Sequence, residues 1–234
     1  MNHLLRFALI LLLIPLAAAA DTGELFTPRD VFELEWASDP RVGPRGERVV
    51  YVRNFMDIMS DRRRSNLWLI DRSTGEQQPL TSGTNNHHSP RWSPSGDRLA
   101  WISGRGETPQ LWMRWMDTGR AARITNLTRG PGGLSWSPDG QWLALTLPVD
   151  QDKQPLAQMP DKPEGADWAA PAKVIERVRY RADGAGYLPD SWQQVFVVPA
   201  EGGTPRQLSR GSFDHGGTPV WTADGKALIL SANR

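Results

Sequence analysis

One segment recurs along this 234-residue chain, and it constrains the fold more than any other feature. Ser89-Pro90-Arg91-Trp92-Ser93-Pro94-Ser95-Gly96-Asp97-Arg98-Leu99-Ala100-Trp101 returns as Gly133-Leu134-Ser135-Trp136-Ser137-Pro138-Asp139-Gly140-Gln141-Trp142-Leu143-Ala144-Leu145. It returns again as Pro219-Val220-Trp221-Thr222-Ala223-Asp224-Gly225-Lys226-Ala227-Leu228-Ile229-Leu230, and a degenerate copy runs from Pro40 to Tyr51. The equivalent positions Val42, Trp92, Trp136 and Trp221 lie 50, 44 and 85 residues apart. A period of about 40–50 residues is that of a propeller blade. The last spacing is nearly two periods long and demands an insertion.

Each repeat carries the chemistry of four short strands. In Ser-Pro-Asp-Gly, Pro sets φ at the second turn position, Asp tolerates the third and Gly takes the fourth. An alternating strand follows, then a second one: Leu67 to Asp71, Leu111 to Trp115, Val195 to Pro199. Gly-containing turns at 73–76, 117–120 and 200–203 lead to short strands at 78–81, 122–125 and 205–209. Four strands per repeat define an all-β fold, an incomplete β-propeller of about three and a half four-stranded blades over residues 42–234. Closed propellers take about 4–8 blades, so the sequence is expected to be the N-terminal part of a longer polypeptide.

Two segments depart from the rhythm. Residues 27–35, within a lead-in at 21–41, read as a helix, with Thr27 as N-cap, Pro28 at the first helical position and Asp30 completing a capping box. Residues 148–172 hold Pro148, Pro155, Pro160, Pro163 and Pro171 and read as an exposed loop inserted into the third blade.

Residues 1–20, MNHLLRFALILLLIPLAAAA, have the three parts of a secretory signal. Arg6 gives the positive region, Phe7 to Leu16 the apolar core, and Ala18-Ala19-Ala20 the cleavage site. The apolar run is too short for a bilayer span of about 20 residues. The expectation is export to a periplasmic or extracellular location, with no membrane attachment after cleavage. Cys is absent, which excludes disulfides, thiolate nucleophiles and thiolate zinc sites. Lys+Arg 27 against Asp+Glu 26 leaves no basic field for nucleic acid, so the 11 Trp read as inter-blade packing rather than as base-stacking platforms.

A search for chemistry finds little. No G-x-S-x-G nucleophile elbow occurs, and Ser212, Asp214 and His215 read as a polar loop rather than a triad. His87 and His88 point to opposite faces of an extended chain and read as a surface loop, not as zinc ligands. Neither catalytic residues, nor metal ligands, nor cofactor-binding residues are assigned, and no cofactor is expected. Arg62-Arg63-Arg64 reads as a solvated run between strands. Arg177, Arg179, Arg181 and Asp183 form the one constellation of interest. Period-two Arg on a strand would place three guanidinium groups on one face. They would pair with insertion acids such as Asp161 and Glu164, or meet a peptide carboxylate as a substrate-side contact.

The repeats, together with Arg177-Val178-Arg179-Tyr180-Arg181-Ala182-Asp183-Gly184-Ala185-Gly186-Tyr187 and Gln194 to Pro199, resemble the N-terminal propeller of the prolyl oligopeptidase family. The resemblance is to its acylaminoacyl-peptidase and dipeptidyl-aminopeptidase-like branch, and it runs from about Leu25 to Arg234. It implies an exported serine peptidase that hydrolyses short peptides, with the propeller gating access. In that family a C-terminal α/β-hydrolase domain carries the catalytic Ser, Asp and His, and nothing in this sequence matches it. The Trp-Ser-Pro-Asp-Gly turn is also shared with TolB-like periplasmic propellers, which makes a protein-binding module the alternative.

Overall fold

The structure, a computed structural model, describes residues 25–151, 160–169 and 172–232. The segment read as a secretory signal, 1–20, lies outside the described residues. The chain enters through a single 3₁₀ turn, Asp30–Glu33, and then builds strands. They are β1 (Glu35–Val42), β2 (Arg48–Asp57), β3 (Arg62–Asp71), β4 (Gln77–Pro79), β5 (His87–Trp92), β6 (Arg98–Ser103), β7 (Gln110–Trp115) and β8 (Ala121–Arg123). There follow β9 (Gly132–Trp136), β10 (Trp142–Asp150), β11 (Arg181–Ala182), β12 (Gly186–Tyr187), β13 (Ser191–Pro199), β14 (Arg206–Gln207), β15 (His215–Trp221) and β16 (Leu228–Ala232).

These strands form three four-stranded antiparallel sheets in the orders β1-β2-β3-β4, β5-β6-β7-β8 and β9-β10-β13-β14. A two-stranded sheet, β15-β16, follows, and β11-β12 make a separate hairpin inside the third sheet's insertion. First strands of successive sheets face one another in order, β1 to β5, β5 to β9 and β9 to β15, as in a propeller. The helix expected at 27–35 is replaced by the one 3₁₀ turn. Half of the capping box survives, for the Thr27 N–H donates to Asp30 Oδ2 at 2.6 Å. From residue 35 the backbone is committed to β2, Glu35 pairing with Phe55, so no second helical turn can form. The first sheet therefore opens at Glu35, ahead of residue 42.

The core lies between sheets. Val50, Val52, Leu67 and Leu69 of the first sheet pack on Leu99 and Trp101 of the second. Ala100, Leu111 and Met113 on the other face of the second pack on Leu134, Leu143, Leu145 and Val198 of the third. Burial along each strand reports this. The second strand of the first sheet alternates between buried and half-buried, whereas β6 is buried at every position after Arg98 and β10 continuously from Leu143 to Leu147, where both faces are covered.

The recurrent Ser and Asp have a shared task. Gly96, Gly140 and Gly225 close i to i+3 bonds onto Ser93, Ser137 and Thr222 at 2.9–3.0 Å and hold φ of +75°, +68° and +69°. Ser137 Oγ accepts the Trp142 N–H at 2.9 Å and donates to Asp139 at 2.5 Å. Ser93 with Arg98 and Asp97, and Thr222 with Ala227 and Asp224, repeat this scheme. Hydroxyl bonds are the largest single cause that holds these carboxylates below the ordinary range: from Ser95, which also donates to Asp97, and from Ser137 to Asp139 and Thr222 to Asp224.

The Trp positions do more than pack. Trp92 Nε1 donates to the Arg41 carbonyl and Trp136 Nε1 to the Arg91 carbonyl, both at 3.0 Å, so each indole ties its inner strand to the preceding one. At the third position, Trp221 Nε1 is buried with no acceptor among the described residues, and Ser135 Oγ bonds the Pro219 carbonyl instead at 2.6 Å. Trp136→Phe is therefore expected to cost about 1 kcal/mol more than Trp221→Phe, since only the first removes a made hydrogen bond and strands a carbonyl. Chemical denaturation of the two variants measures the difference.

Candidate functional site

The alternation of strand direction gives the molecule two ends. The turns at 43–47, 93–97 and 137–141 share one end with those at 72–76, 116–120 and 200–205. Arg72, Met116 and Ala200 N–H groups bond the carbonyls of Glu47, Asp97 and Gln141 there, each at 2.8 Å. The opposite end collects the 3₁₀ turn, the links between sheets and the insertion between β10 and β13.

The insertion is anchored by the longest strand pair of the third sheet, which runs from Trp142 opposite Pro199 to Asp150 opposite Ser191. Strand β10 thus carries through Pro148 and Val149, and the inserted segment leaves after Asp150 rather than at 148. Residues 152–159, 170 and 171 lie outside the described residues. The Gln151 N–H bonds the Asp190 carbonyl at 3.0 Å and closes the neck. Within the insertion Asp183-Gly184 turns a hairpin, with Arg181 opposite Tyr187 and Ala182 opposite Gly186. The Leu188 N–H extends it to the Tyr180 carbonyl at 2.8 Å.

A cleft of about 520 Å³ opens between this hairpin and the start of β13. Lys173, Val174, Ile175, Arg177, Arg179, Tyr180, Tyr187 and Asp190 contribute to its lining, and Asp214 reaches it from the link to the last sheet. Tyr180 and Tyr187 stand 6.1 Å apart with tilted rings. Lys173 Nζ lies 3.8 Å from the Tyr187 ring centre, a cation–π contact. The cleft base is fixed by Arg177, whose guanidinium stacks on Trp192 at 4.0 Å and pairs with Asp190 at 2.9 Å.

The four residues singled out from sequence do not share one strand face. Only Arg181 lies in a strand, while Arg177 sits in a bend and Asp183 in the hairpin turn. Arg177 and Arg179 line the cleft; Arg181 and Asp183 do not. The acid that meets Arg177 is Asp190, not Asp161 or Glu164, because the hairpin folds back onto the neck. Tyr180, Tyr187 and Lys173 were missed. The signal was present: two Tyr straddle an Asp-Gly hairpin turn, which places them side by side.

Other sequence candidates fall elsewhere. Arg62, Arg63 and Arg64 are the first residues of β3, paired with Asp57, Met56 and Phe55, and Arg64 bonds Asp57 at 3.3 Å. No hydrogen bond joins Ser212, Asp214 and His215; Asp214 Oδ1 instead accepts the Gln193 N–H at 2.8 Å. His88 is exposed, but His87 is buried in β5, not on a surface loop, and accepts the Trp101 indole N–H at 3.2 Å. Among the described residues, no three His, Asp or Glu converge as metal ligands.

Comparison with known proteins bears on this arrangement. No protein-family model matches the chain. The uncharacterized peptidase YuxL of Bacillus subtilis is 30% identical over 211 residues, which is 90% of this chain and 31% of that protein. Uncomplexed Pyrococcus horikoshii acylaminoacyl peptidase superposes with a TM-score of 0.59 at 16% identity, over 86% of this chain and 28% of that one. A structure of putative TolB from Agrobacterium tumefaciens gives 0.51 at 18% identity, over 86% of this chain and 59% of that one. The fold is therefore that of a propeller domain, and the chain is similar to the N-terminal propeller portion of prolyl oligopeptidase family peptidases. It spans under a third of the length of YuxL and of the acylaminoacyl peptidase.

Proposed function

We propose that this chain is the propeller part of an exported serine peptidase that hydrolyses short peptides. The propeller restricts access, and the insertion cleft presents its arginines to the peptide. A C-terminal α/β-hydrolase domain supplies the Ser, Asp and His. The observation that carries this reading is the extent of the likeness to YuxL. Covering 211 of 234 residues, it takes in the insertion and the 177–187 stretch as well as the turns that TolB-like propellers share.

The test is to read the coding sequence past codon 234 and to treat its full product with a serine-reactive fluorophosphonate. The expected frame continues to a G-x-S-x-G pentad followed by Asp and His, and the label maps to that Ser. The 21–234 chain alone stays unlabelled. A frame without the pentad, or a full product that takes no label, overturns the peptidase reading and leaves the protein-binding module.

A further inference from the structure

We propose that the insertion cleft binds the C-terminal end of a peptide, with Arg179 holding the free α-carboxylate and the Tyr180–Tyr187 pair holding the last apolar side chain. The inference rests on the reading above that the ligand is a peptide, and it names which end of the peptide is recognised. Three features of the cleft carry it.

The first is the distribution of charge. Lys173, Arg177 and Arg179 face Glu176, Asp190 and Asp214 around the cleft. Most of these charges are already committed. Arg177 is held by Asp190 and Trp192. Asp214 accepts the Gln193 N–H, Glu176 has a contact of its own, and Lys173 rests on the Tyr187 ring. Arg179 is exposed and has no carboxylate partner among the described residues. A guanidinium presents a planar fork that matches a carboxylate with two parallel bonds.

The second is the apolar wall beside it. Val174, Ile175, Tyr180 and Tyr187 all line the cleft and all remain about half exposed. Ring faces and branched aliphatic groups next to one charged donor suit a side chain adjoining a carboxylate, the chemistry of a peptide C-terminus. The third is rigidity. The Arg177–Asp190–Trp192 contacts and the closed neck fix the cleft base before any ligand arrives, which lowers the ordering cost of binding.

Calorimetric titration of the intact chain with N-acetyl-Ala-Ala-Phe and with its C-terminal amide tests the inference. The acid is expected to bind about fivefold to tenfold more tightly than the amide, the range of one well-placed charged hydrogen-bonding pair at a partly solvated site. Arg179→Gln should erase the difference, and Arg179→Lys should keep part of it. Arg120→Gln, an exposed arginine at the opposite end, should change nothing. Equal affinity for acid and amide, no binding of either at millimolar concentration, or an unchanged preference in Arg179→Gln overturns the proposal.

The readout is binding and needs no catalytic domain. A negative titration beside a confirmed G-x-S-x-G frame therefore strikes only the cleft assignment. An acid preference in a product lacking that pentad strikes only the peptidase reading.

Discussion

Gly133→Ala is expected to destabilise the chain by about 3 kcal/mol, because a methyl group there meets backbone rather than a movable side chain. A Cβ on Gly133 would sit 2.7 Å from the Gly217 carbonyl oxygen, 3.1 Å from Pro219 Cδ and 3.2 Å from Thr146 Cγ2. Its φ of +56° adds the left-handed penalty of an L residue, about 1 kcal/mol. Relief requires β15 to move away from β9, and that opens the junction between the third sheet and the last. Gly75→Ala is the control. Its φ is also positive, +74°, but nothing lies within 4 Å of the added carbon, so it should show the backbone penalty alone. Urea unfolding of both variants separates strain from collision. A Gly133→Ala variant no less stable than Gly75→Ala would refute the close approach.

Gly133 also shows what the repeats concealed. In every inner strand four or five residues span a stretch where the partner strand uses three, a β-bulge. The second residue of each is left-handed: Asp39, Ser89, Gly133 and Gly217, with φ of +46°, +55°, +56° and +78°. The residue types at this position differ too much to suggest a common conformation, since Asp and Ser tolerate what Gly adopts freely. Asp39 there takes Arg41 at 2.6 Å and, from the next sheet, Arg91 at 2.8 Å.

The number and order of blades were legible because the turn residues are forced. Only certain residues close a four-residue turn, so they recur even where packing residues drift. A second periodic signal was present and went unread. Asn66 and Thr81, Gln110 and Thr125, and Gln194 and Ser209 are each 15 residues apart. The hydroxyl accepts the N–H of the residue after the amide: Leu67, Leu111 or Val195. The amide nitrogen in turn donates two residues past the hydroxyl, to Gly83, Leu127 or Gly211. These bonds clamp the third strand of each sheet to the exit of its fourth. The insertion was harder. Its composition marked it as a loop, but its partners are set by where the hairpin folds back, and a run of Pro carries no record of that. Arg177 could be seen to need an acid, and only the fold could say that the acid was Asp190.

Lowering the pH from 7.5 to 4.5 is expected to remove about 2 kcal/mol of stability through His87. Burial in β5 is the main cause that lowers its pKa to about 4 from an ordinary 6.5, and the charges of His88 and Arg105 act in the same direction. The folded state therefore binds its proton later than the unfolded chain does. Stability from this group is fully present above pH 6.5 and drains as pH falls toward 4. The carboxylates held low by hydroxyl bonds, Asp57, Asp71, Asp97, Asp139 and Asp224, lose most of theirs below the unfolded value of about 3.8, so the window above it belongs mainly to histidine. The structural reason is specific. The His87 Nδ1 accepts the Trp101 N–H, and a protonated ring would set two donors against each other in the layer between the first and second sheets. The full pKa difference would give more than 2 kcal/mol, but the ring borders a cavity shared with Arg105 and Thr81 and keeps some hydration. His87→Asn preserves an acceptor near Nδ1 without a titrating group, so its urea midpoint should barely move between the two pH values. His88 is also held low, chiefly because neighbouring groups desolvate its ring even though the residue as a whole is exposed, and His88→Gln measures its share. If His87→Asn keeps the wild-type loss on acidification, the pH dependence does not originate at the His87–Trp101 bond.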